Sequence, residues 1–226
     1  MSQIKDKEEI QKIARACEIT DQIFGIVCKN AKLKTEIELH DFILNEIRKR
    51  GLKPSFDPIV TSGSRAGNEI HPKPTNSKLS GFVIVDFGVV YKKYMSDMTR
   101  MLYAGVPNKF ERDLHNLVLL SHKKSARIVY PGIKCALADQ IARRVLGKYN
   151  KYFIHTLGHG VGTKIHESPK IYYKIEKPVF KAGMVVTIEP GIYIKRRCGI
   201  RIEDTYLVTK NGLKPLTKST HKLVII

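Results

Sequence analysis

Features that would place a protein in or across a membrane are missing from this sequence. It contains no run of 18 apolar residues, so we expect no membrane-spanning helix. Its first 16 residues, MSQIKDKEEIQKIARA, are highly charged and lack the apolar core of a secretory signal peptide. We therefore expect a cytoplasmic protein that makes no membrane contact.

Cysteine is scarce, and the motifs of several enzyme classes are absent. The four cysteines are far apart and form no CxxC motif, so we expect reduced thiols instead of disulfides or a zinc knuckle. The sequence lacks the HExxH motif of zinc proteases and the GxSxG motif of serine hydrolases. The segment GHGVG at 158–162 is rich in glycine, but no GK[ST] follows it, which argues against a nucleotide site.

Acidic residues are few relative to basic ones. The chain has 40 Lys and Arg against 21 Asp and Glu, which gives a net charge of +19. Such a charge can indicate a polyanionic partner such as nucleic acid. The basic runs Arg48-Lys49-Arg50 and Lys195-Arg196-Arg197 are short, however, and have no interleaved aromatic residues. We therefore favour solvated surfaces and expect no nucleic-acid partner.

Hydrophobic periodicity predicts an α+β protein. Helical spacing of apolar residues predicts a first helix over 5–30, and the capping box Thr35-Glu36-Ile37-Glu38 begins a second helix, which Gly51 ends. We predict further helices over 108–129 and 135–148, and strands over 56–63, 81–91, 94–104, 152–157, 162–166, 184–194, 199–209 and 213–216. The order of helices, strands, helices, strands indicates two similar halves. No linker divides them, so we expect a single domain over residues 1–226.

Two pairs of carboxylates are the most informative feature that is present. Asp86 and Asp97 lie on either side of a turn centred between Tyr91 and Lys92, and Glu189 and Glu203 flank a loop centred on Arg196. A hairpin would place each pair face to face, where like charges are destabilising. Two such pairs in one chain call for a cation that neutralises them.

A histidine-rich segment lies between the two pairs. In HTLGHGVGTKIHE, three histidines occur within twelve residues and are flanked by glycines that allow a ligand to approach the backbone. His159 is the natural fifth ligand. Four carboxylates and an imidazole form an oxygen-rich dinuclear site that suits Mn²⁺, Co²⁺, Zn²⁺ or Fe²⁺.

The order Asp86, Asp97, His159, Glu189, Glu203 resembles the five-ligand pattern of the pita-bread metallopeptidases. The segments IVDFG, YMSDMTR, HTLGHGVG, IHESP, GMVVTIEPGIYI and GIRIED resemble the Xaa-Pro branch of that family, which contains prolidase and aminopeptidase P. The resemblance covers the chain from about residue 8 to its end. It implies the pita-bread (creatinase/aminopeptidase) fold, with two pseudo-symmetric halves and a curved antiparallel sheet flanked by helices.

The resemblance also implies a metal-dependent mechanism. Two divalent ions, Mn²⁺ or Co²⁺ before Zn²⁺ or Fe²⁺, would be held by Asp86, Asp97, His159, Glu189 and Glu203. A hydroxide between the ions would be the nucleophile. Glu189 would also act as general base and acid, carrying a proton towards the leaving amine.

Five further residues acquire expected roles from the same resemblance. His166 would stabilise the tetrahedral intermediate, and His71 would belong to the substrate pocket. His155 would shape the pocket on the proline side, and Arg201 would pair with a site carboxylate. Lys170 would contact the free carboxylate of a dipeptide. Asp204 is expected to be structural, and His115 and His221 are expected at the surface.

The expected activity is hydrolysis of the bond before proline in Xaa-Pro dipeptides. The alternatives are an Xaa-Pro aminopeptidase that acts on longer peptides, a methionine aminopeptidase, or a non-catalytic binding protein of this fold. His155 and the sequence Gly191-Ile192-Tyr193 argue against a methionine aminopeptidase. We expect the catalytic domain alone, without the N-terminal domain of two-domain relatives, as a monomer or homodimer.

Overall fold

The computed structural model describes residues 3–30 and 33–226. It contains four α-helices: α1 (Lys7–Val27), α2 (Glu36–Arg48), α3 (Lys109–Arg127) and α4 (Cys135–Leu146). These confirm the four predicted helices, with ends that differ by a few residues. Among the helices of the described residues, none is long and apolar enough to cross a lipid bilayer.

The first three helices begin with the same local signal. In each, a polar N-cap side chain accepts a hydrogen bond from the backbone N–H three residues later, and a glutamate at that position returns a bond to the N-cap backbone. The N-caps are Asp6, Thr35 and Asn108. The predicted capping box at Thr35 is therefore confirmed.

In the described residues, fourteen short strands form two principal sheets, which are mainly antiparallel, and two smaller ones. The strands are β1 (Lys53–Pro54), β2 (Ile59–Ser62), β3 (Gly81–Phe87), β4 (Val89–Tyr91), β5 (Tyr94–Met95), β6 (Met98–Ala104), β7 (Gly158–Gly160), β8 (Glu167–Ile171), β9 (Val185–Ile188), β10 (Gly191–Ile194), β11 (Cys198–Arg201), β12 (Asp204–Thr209), β13 (Gly212–Pro215) and β14 (Val224–Ile225). The first principal sheet has the order β14-β6-β3-β2 and the second β13-β12-β9-β7-β8. The smaller sheets, β1-β4-β5 and β10-β11, extend the two hairpins. Only the β14–β6 pair is parallel among the described pairings.

Alternation along β3 separates two hydrophobic cores. Val83 and Val85 pack with α1 and α2, whereas Phe82 and Ile84 belong to the core that contains α3, α4 and β9. Successive side chains of a strand point to opposite faces. Asp86 continues the series of Phe82 and Ile84, so its carboxylate points towards the second half of the molecule.

The two carboxylate hairpins differ in register. Ile188 pairs with Asp204 and Gly191 with Arg201, so Glu189 and Glu203 lie directly opposite each other, as predicted. The first hairpin corrects the prediction. Asp86 pairs with Thr99, which places Asp97 opposite Gly88 and makes the aspartates diagonal neighbours.

The shift in the first hairpin has a local cause. The pairs Val90–Met95 and Tyr91–Tyr94 leave Lys92 and Lys93 as a two-residue turn, and both have positive φ, 47° and 75°. This is the backbone shape of a type I′ turn, for which Asn-Gly is the usual signal. Two lysines give no such signal, so the turn centre lies one residue later than expected.

Two of the strand predictions were wrong. Residues 152–157 do not form a strand, because the Arg143 guanidinium holds the carbonyls of Phe153 and His155 at 2.8 and 2.7 Å. Residues 162–166 form a loop instead, in which the Glu167 carboxylate accepts the N–H groups of Thr163 and Lys164. In both places side chains bind the backbone groups that a ladder would have used. The strands here are 158–160 and 167–171.

Candidate metal centre

The two hairpins and β7 bring five side chains together where the halves of the molecule meet. One ligand atom from each of Asp97, His159 and Glu203 lies within 4.8 Å of the others. His159 Nε2 is 3.5 Å from Asp97 Oδ2 and 3.4 Å from Glu189 Oε1, beyond ordinary hydrogen-bond length. Asp86 and Glu189 line the same cavity as Asp97 and Glu203.

The orientation of His159 leaves one ring nitrogen available to the carboxylates. Nδ1 donates to the Gly160 carbonyl oxygen at 3.0 Å, so the lone pair of the neutral ring is on Nε2. Burial lowers the pKa of His159 to about 4, which favours this neutral form. A hydrogen bond on the far nitrogen is the usual way in which a metal-binding imidazole is oriented.

Burial and mutual repulsion disfavour the ionised forms of the carboxylates in the absence of a nearby cation. Burial, and then the neighbouring Asp86 and Glu189, raise the pKa of Asp97 well above its usual value. Burial and Asp97 raise the pKa of Glu203 in the same way. Burial raises the pKa of Glu189 to about 8, against the lowering effect of Arg201. Asp86 Oδ1 is buried and has no hydrogen-bond partner among the described residues.

These observations test whether the residues fit divalent metal ions. Buried carboxylates without a counter-charge are unfavourable, and an orphaned carboxylate oxygen normally has a role. The donors are oxygen and imidazole nitrogen, with no thiolate, which suits Mn²⁺, Co²⁺, Zn²⁺ or Fe²⁺. These residues therefore fit divalent metal ions.

Arg201 connects the centre to its supports. Its Nη2 donates to Asp86 Oδ2 at 2.6 Å and its Nε to Thr99 Oγ1 at 3.1 Å. Thr99 Oγ1 in turn donates to Glu203 Oε2 at 2.8 Å. Arg201 is 1% exposed and therefore shielded from solvent. It fixes carboxylates from both hairpins. Sequence reasoning missed Thr99, whose only signal is its place two residues after Asp97.

His155 lies beside this network and does not line the cavity. Its Nδ1 donates to the Thr156 carbonyl oxygen at 2.8 Å, and its Nε2 accepts from the Tyr193 hydroxyl at 3.1 Å. That hydroxyl accepts from Arg201 Nη1 at 2.6 Å. Burial lowers the pKa of His155 to about 3, so the ring is neutral, as these bonds require. His155 supports Tyr193 and, through it, Arg201.

A cavity of about 350 Å³ opens over the carboxylates. His71 and His166 line it, and the His166 ring lies edge-on to the His159 ring at a centroid distance of 4.4 Å. The apolar part of its lining consists of Phe56, Pro58, Ile59, Pro72 and Ile165. A small apolar group can therefore lie next to the carboxylates.

Lys170 is not among the residues that line this cavity. It pairs with His159 across β7 and β8, but its side chain is exposed and lines a separate depression with Lys177 and Lys181. Its ammonium lies 5.9 Å from the centre of the Tyr172 ring. The structure brings the other predicted site residues to the carboxylate cluster or its supports.

A second cluster of ionisable residues lies behind the centre. Asp204 Oδ2 accepts from His221 Nε2 at 2.6 Å and lies 3.3 Å from His122 Nε2, while Arg100 and Thr217 bond to Oδ1. This spacing could hold a metal, but the Arg100 guanidinium already supplies the counter-charge, and the pKa of Asp204 is lowered accordingly. Asp204 is a structural residue.

The expectation that His115 lies at the surface was wrong. His115 is 3% exposed, because it lies seven residues before the buried His122 on the inner face of α3. His221 is partly buried through its bond to Asp204. Neither histidine has a sequence motif, and their contacts join residues far apart in the chain.

Comparison with known proteins supplies the family of this chain. The model of metallopeptidase family M24 matches residues 11–210. The chain therefore belongs to metallopeptidase family M24.

Similar proteins include members of the Xaa-Pro branch. The chain is 40% identical over 227 residues to the Xaa-Pro dipeptidase of Pyrococcus furiosus, a match that covers 98% of this chain and 65% of that protein. It superimposes on the prolidase from Pyrococcus horikoshii OT3 with a TM-score of 0.92 at 38% identity, covering 98% of this chain and 65% of that one. For the X-Pro aminopeptidase from Thermotoga maritima MSB8 the TM-score is 0.94 at 31% identity, and the match covers 99% of this chain and 65% of that one. The chain thus spans slightly less than two thirds of these relatives, and the predicted pita-bread fold is confirmed.

Proposed function

We propose that this chain hydrolyses the peptide bond that precedes proline, with Xaa-Pro dipeptides as its substrates. The observation that carries the proposal is the convergence of four carboxylates and His159 at a cavity whose lining also includes apolar side chains. That apolar lining is suited to a pyrrolidine ring whose scissile bond meets the carboxylates. The similarity to an Xaa-Pro dipeptidase and a prolidase supports the same substrate class.

We propose that two divalent ions are bound by Asp86, Asp97, His159, Glu189 and Glu203, with Mn²⁺ or Co²⁺ before Zn²⁺ or Fe²⁺. Such ions supply Lewis acidity and lower the pKa of water, which makes a nucleophile available at neutral pH. The chain's own residues do the rest. Glu189 takes the proton of the attacking water and passes it to the departing proline nitrogen. Its Oε1 accepts a hydrogen bond from Thr187 Oγ1 at 3.2 Å, which orients the carboxylate.

His166 donates a hydrogen bond to the carbonyl oxygen as negative charge develops there. It is the exposed histidine of the 162–167 loop, and the Glu167 carboxylate holds this loop in place. The carbonyl oxygen of Gly162, in the same loop, accepts a hydrogen bond from the backbone N–H of Met95 at 2.8 Å. Met95 lies two residues before Asp97. The donor and the carboxylate cluster are thus fixed relative to each other.

A substrate panel tests the proposal. Purified protein that has been chelated and reloaded with Mn²⁺ or Co²⁺ is incubated with Met-Pro, Met-Pro-Gly and Met-Gly-Gly, and free methionine is measured. We expect the highest kcat/KM for Met-Pro and no release from Met-Gly-Gly. Preference for Met-Pro-Gly would indicate the aminopeptidase alternative, which the similarity to an X-Pro aminopeptidase favours. Release from Met-Gly-Gly alone would refute the proposed substrate class.

The two histidines 4.4 Å apart should separate metal binding from catalysis. His159→Ala removes a proposed ligand, so metal content should fall. His166→Ala should keep the metal content of the wild type and lower kcat by about 10²–10³, the effect of losing one oxyanion donor. Metal is measured by elemental analysis after gel filtration, and kcat with Met-Pro. Equal metal content in the two variants would contradict this division of roles.

A further inference from the structure

The cavity has one cationic amine on its wall whose role nothing above explains. Lys73 lines the cavity with His71, and it is the only lysine or arginine among the described residues that line it. Its side chain is exposed, and its ammonium makes no ion pair with Asp57, the exposed carboxylate on the same wall. Asp57 instead lies 3.0 Å from His40 Nε2. The Lys73 charge is therefore free to meet a ligand.

The backbone that carries Lys73 is rigid. Proline residues precede and follow it in His71-Pro72-Lys73-Pro74, and each proline fixes its own φ and restricts the residue before it to extended conformations. In extended chain, residues i and i+2 share a face. In agreement, His71 and Lys73 are both exposed and both line the cavity, whereas Pro72 between them is buried and contributes its ring to the lining.

Side-chain interactions with Arg65 and Glu36 hold this segment in place. Arg65 Nη2 donates to the Lys73 carbonyl oxygen at 2.9 Å, and Arg65 Nε donates to Glu36 Oε2 at 3.2 Å. The same Glu36 oxygen accepts from Thr75 N at 3.1 Å, and Glu36 has no solvent exposure. The backbone from Lys73 to Thr75 is thus anchored to α2. A fixed backbone lowers the entropy cost of using a flexible lysine in recognition.

No other described cation of the site is available to a substrate anion. The Arg201 guanidinium is buried, and its donors are taken by Asp86, Thr99 and Tyr193. Lys170 lies outside the cavity. With the carboxylates of the centre neutralised by the proposed metal ions, Lys73 remains the cationic lysine or arginine of the described lining that can attract an anionic ligand group.

We propose that Lys73 binds the C-terminal carboxylate of an Xaa-Pro dipeptide and so sets the preference for dipeptides over longer peptides. The inference rests on the proposed Xaa-Pro peptidase function. In a dipeptide the carboxylate lies one residue past the scissile bond, whereas in a longer peptide that position is a neutral amide. The Lys73 ammonium at the cavity lining is complementary to the first and indifferent to the second.

The test compares Met-Pro with Met-Pro amide, which differ at this position by one charge. Lys73→Met should raise KM for Met-Pro about fivefold to tenfold. An increase of this size is larger than the loss of a fully exposed ion pair would cause and smaller than the loss of a charge-assisted hydrogen bond shielded from solvent. Its kcat should be unchanged, because binding to ground state and transition state is lost equally. Kinetics with the amide should be unaffected, and Lys73→Glu should reverse the preference between the two substrates.

Two further variants separate the local contact from the general charge. Lys214→Met removes one exposed lysine on β13, outside the residues that line the cavity, and should change neither substrate's KM. Lys170→Met tests the residue that the sequence indicated. A Met-Pro-specific rise in KM in the Lys170 variant but not the Lys73 variant would overturn the inference. An equal change for both substrates in Lys73→Met would overturn it as well.

A binding measurement keeps this inference distinct from the proposed function. Calorimetry of the metal-loaded protein with proline and with prolinamide reads the carboxylate contact without turnover. Wild type should bind proline more tightly, and Lys73→Met should remove the difference. Equal affinity of wild type for the two ligands would refute the role of Lys73. Failure of the wild type to cleave any prolyl peptide would instead refute the proposed function.

Discussion

Asp97→Ala is expected to abolish peptidase activity and to lower the bound metal. Asp97 is coupled to all four other members of the centre: it groups with His159 and Glu203, and Asp86 and Glu189 raise its pKa after burial does. Loss of a residue that only supports a ligand costs about 10- to 100-fold in metal affinity or activity, so loss of a ligand should cost more than about 100-fold. Metal content after gel filtration and kcat/KM for Met-Pro are the measurements.

Chelated wild-type protein is the matched control for Asp97→Ala. Metal binding stabilises the folded state by mass action, so removal of metal should lower the Tm of the wild type. The variant has less metal to lose, and chelation should change its Tm by a smaller amount. Asp97→Asn, which keeps the shape but not the charge, should behave like the alanine variant. Stoichiometric metal together with full activity in either variant would refute the assignment of the centre.

The sequence allowed the approach of the carboxylate pairs to be predicted because their residues follow local rules. Period-two alternation and short turns specify a hairpin, and like charges across a hairpin are informative whatever the rest of the fold. This succeeded fully for Glu189 and Glu203, whose turn apex at Arg196 lies where symmetry places it. It succeeded in outline for Asp86 and Asp97, where two lysines of positive φ moved the turn by one residue.

The supports of the centre could not be predicted because they depend on long-range contacts. The bonds from Arg201 to Asp86 and from Thr99 to Glu203 join residues 115 and 104 positions apart. The Asp204 cluster, which includes Arg100, is similarly non-local. Such pairs leave no periodicity, so the buried His115 and the role of Thr99 were visible only in the folded chain. The same holds for the choice between Lys73 and Lys170, since both are lysines near a motif histidine and only packing separates them.

The support with the largest expected effect is Arg201. Its guanidinium donates hydrogen bonds to Asp86, Thr99 and Tyr193. Asp86 and Thr99 belong to the hairpin in the first half of the molecule. Asp86 Oδ1 has no hydrogen-bond partner among the described residues, so the Asp86 carboxylate depends on the contact between its Oδ2 and Arg201. Removal of one partner from a buried ion pair typically costs about 3–5 kcal/mol, because a buried charge is left uncompensated.

Arg201→Met should therefore unfold more easily than wild type, and metal should compensate for part of the loss. For a chain of this size about 1 kcal/mol corresponds to about 2–4 °C in Tm, so we expect a decrease of roughly 10 °C in chelated protein. Metal ions at the centre would neutralise Asp86, so the decrease should be smaller in metal-loaded protein. Arg201→Lys keeps the charge but cannot reach three acceptors at once. Its Tm should therefore lie between that of wild type and that of Arg201→Met. The measurement is thermal unfolding of all three proteins with and without chelator. A decrease in Tm that metal does not reduce would show that Arg201 acts through packing and not through the charge of Asp86.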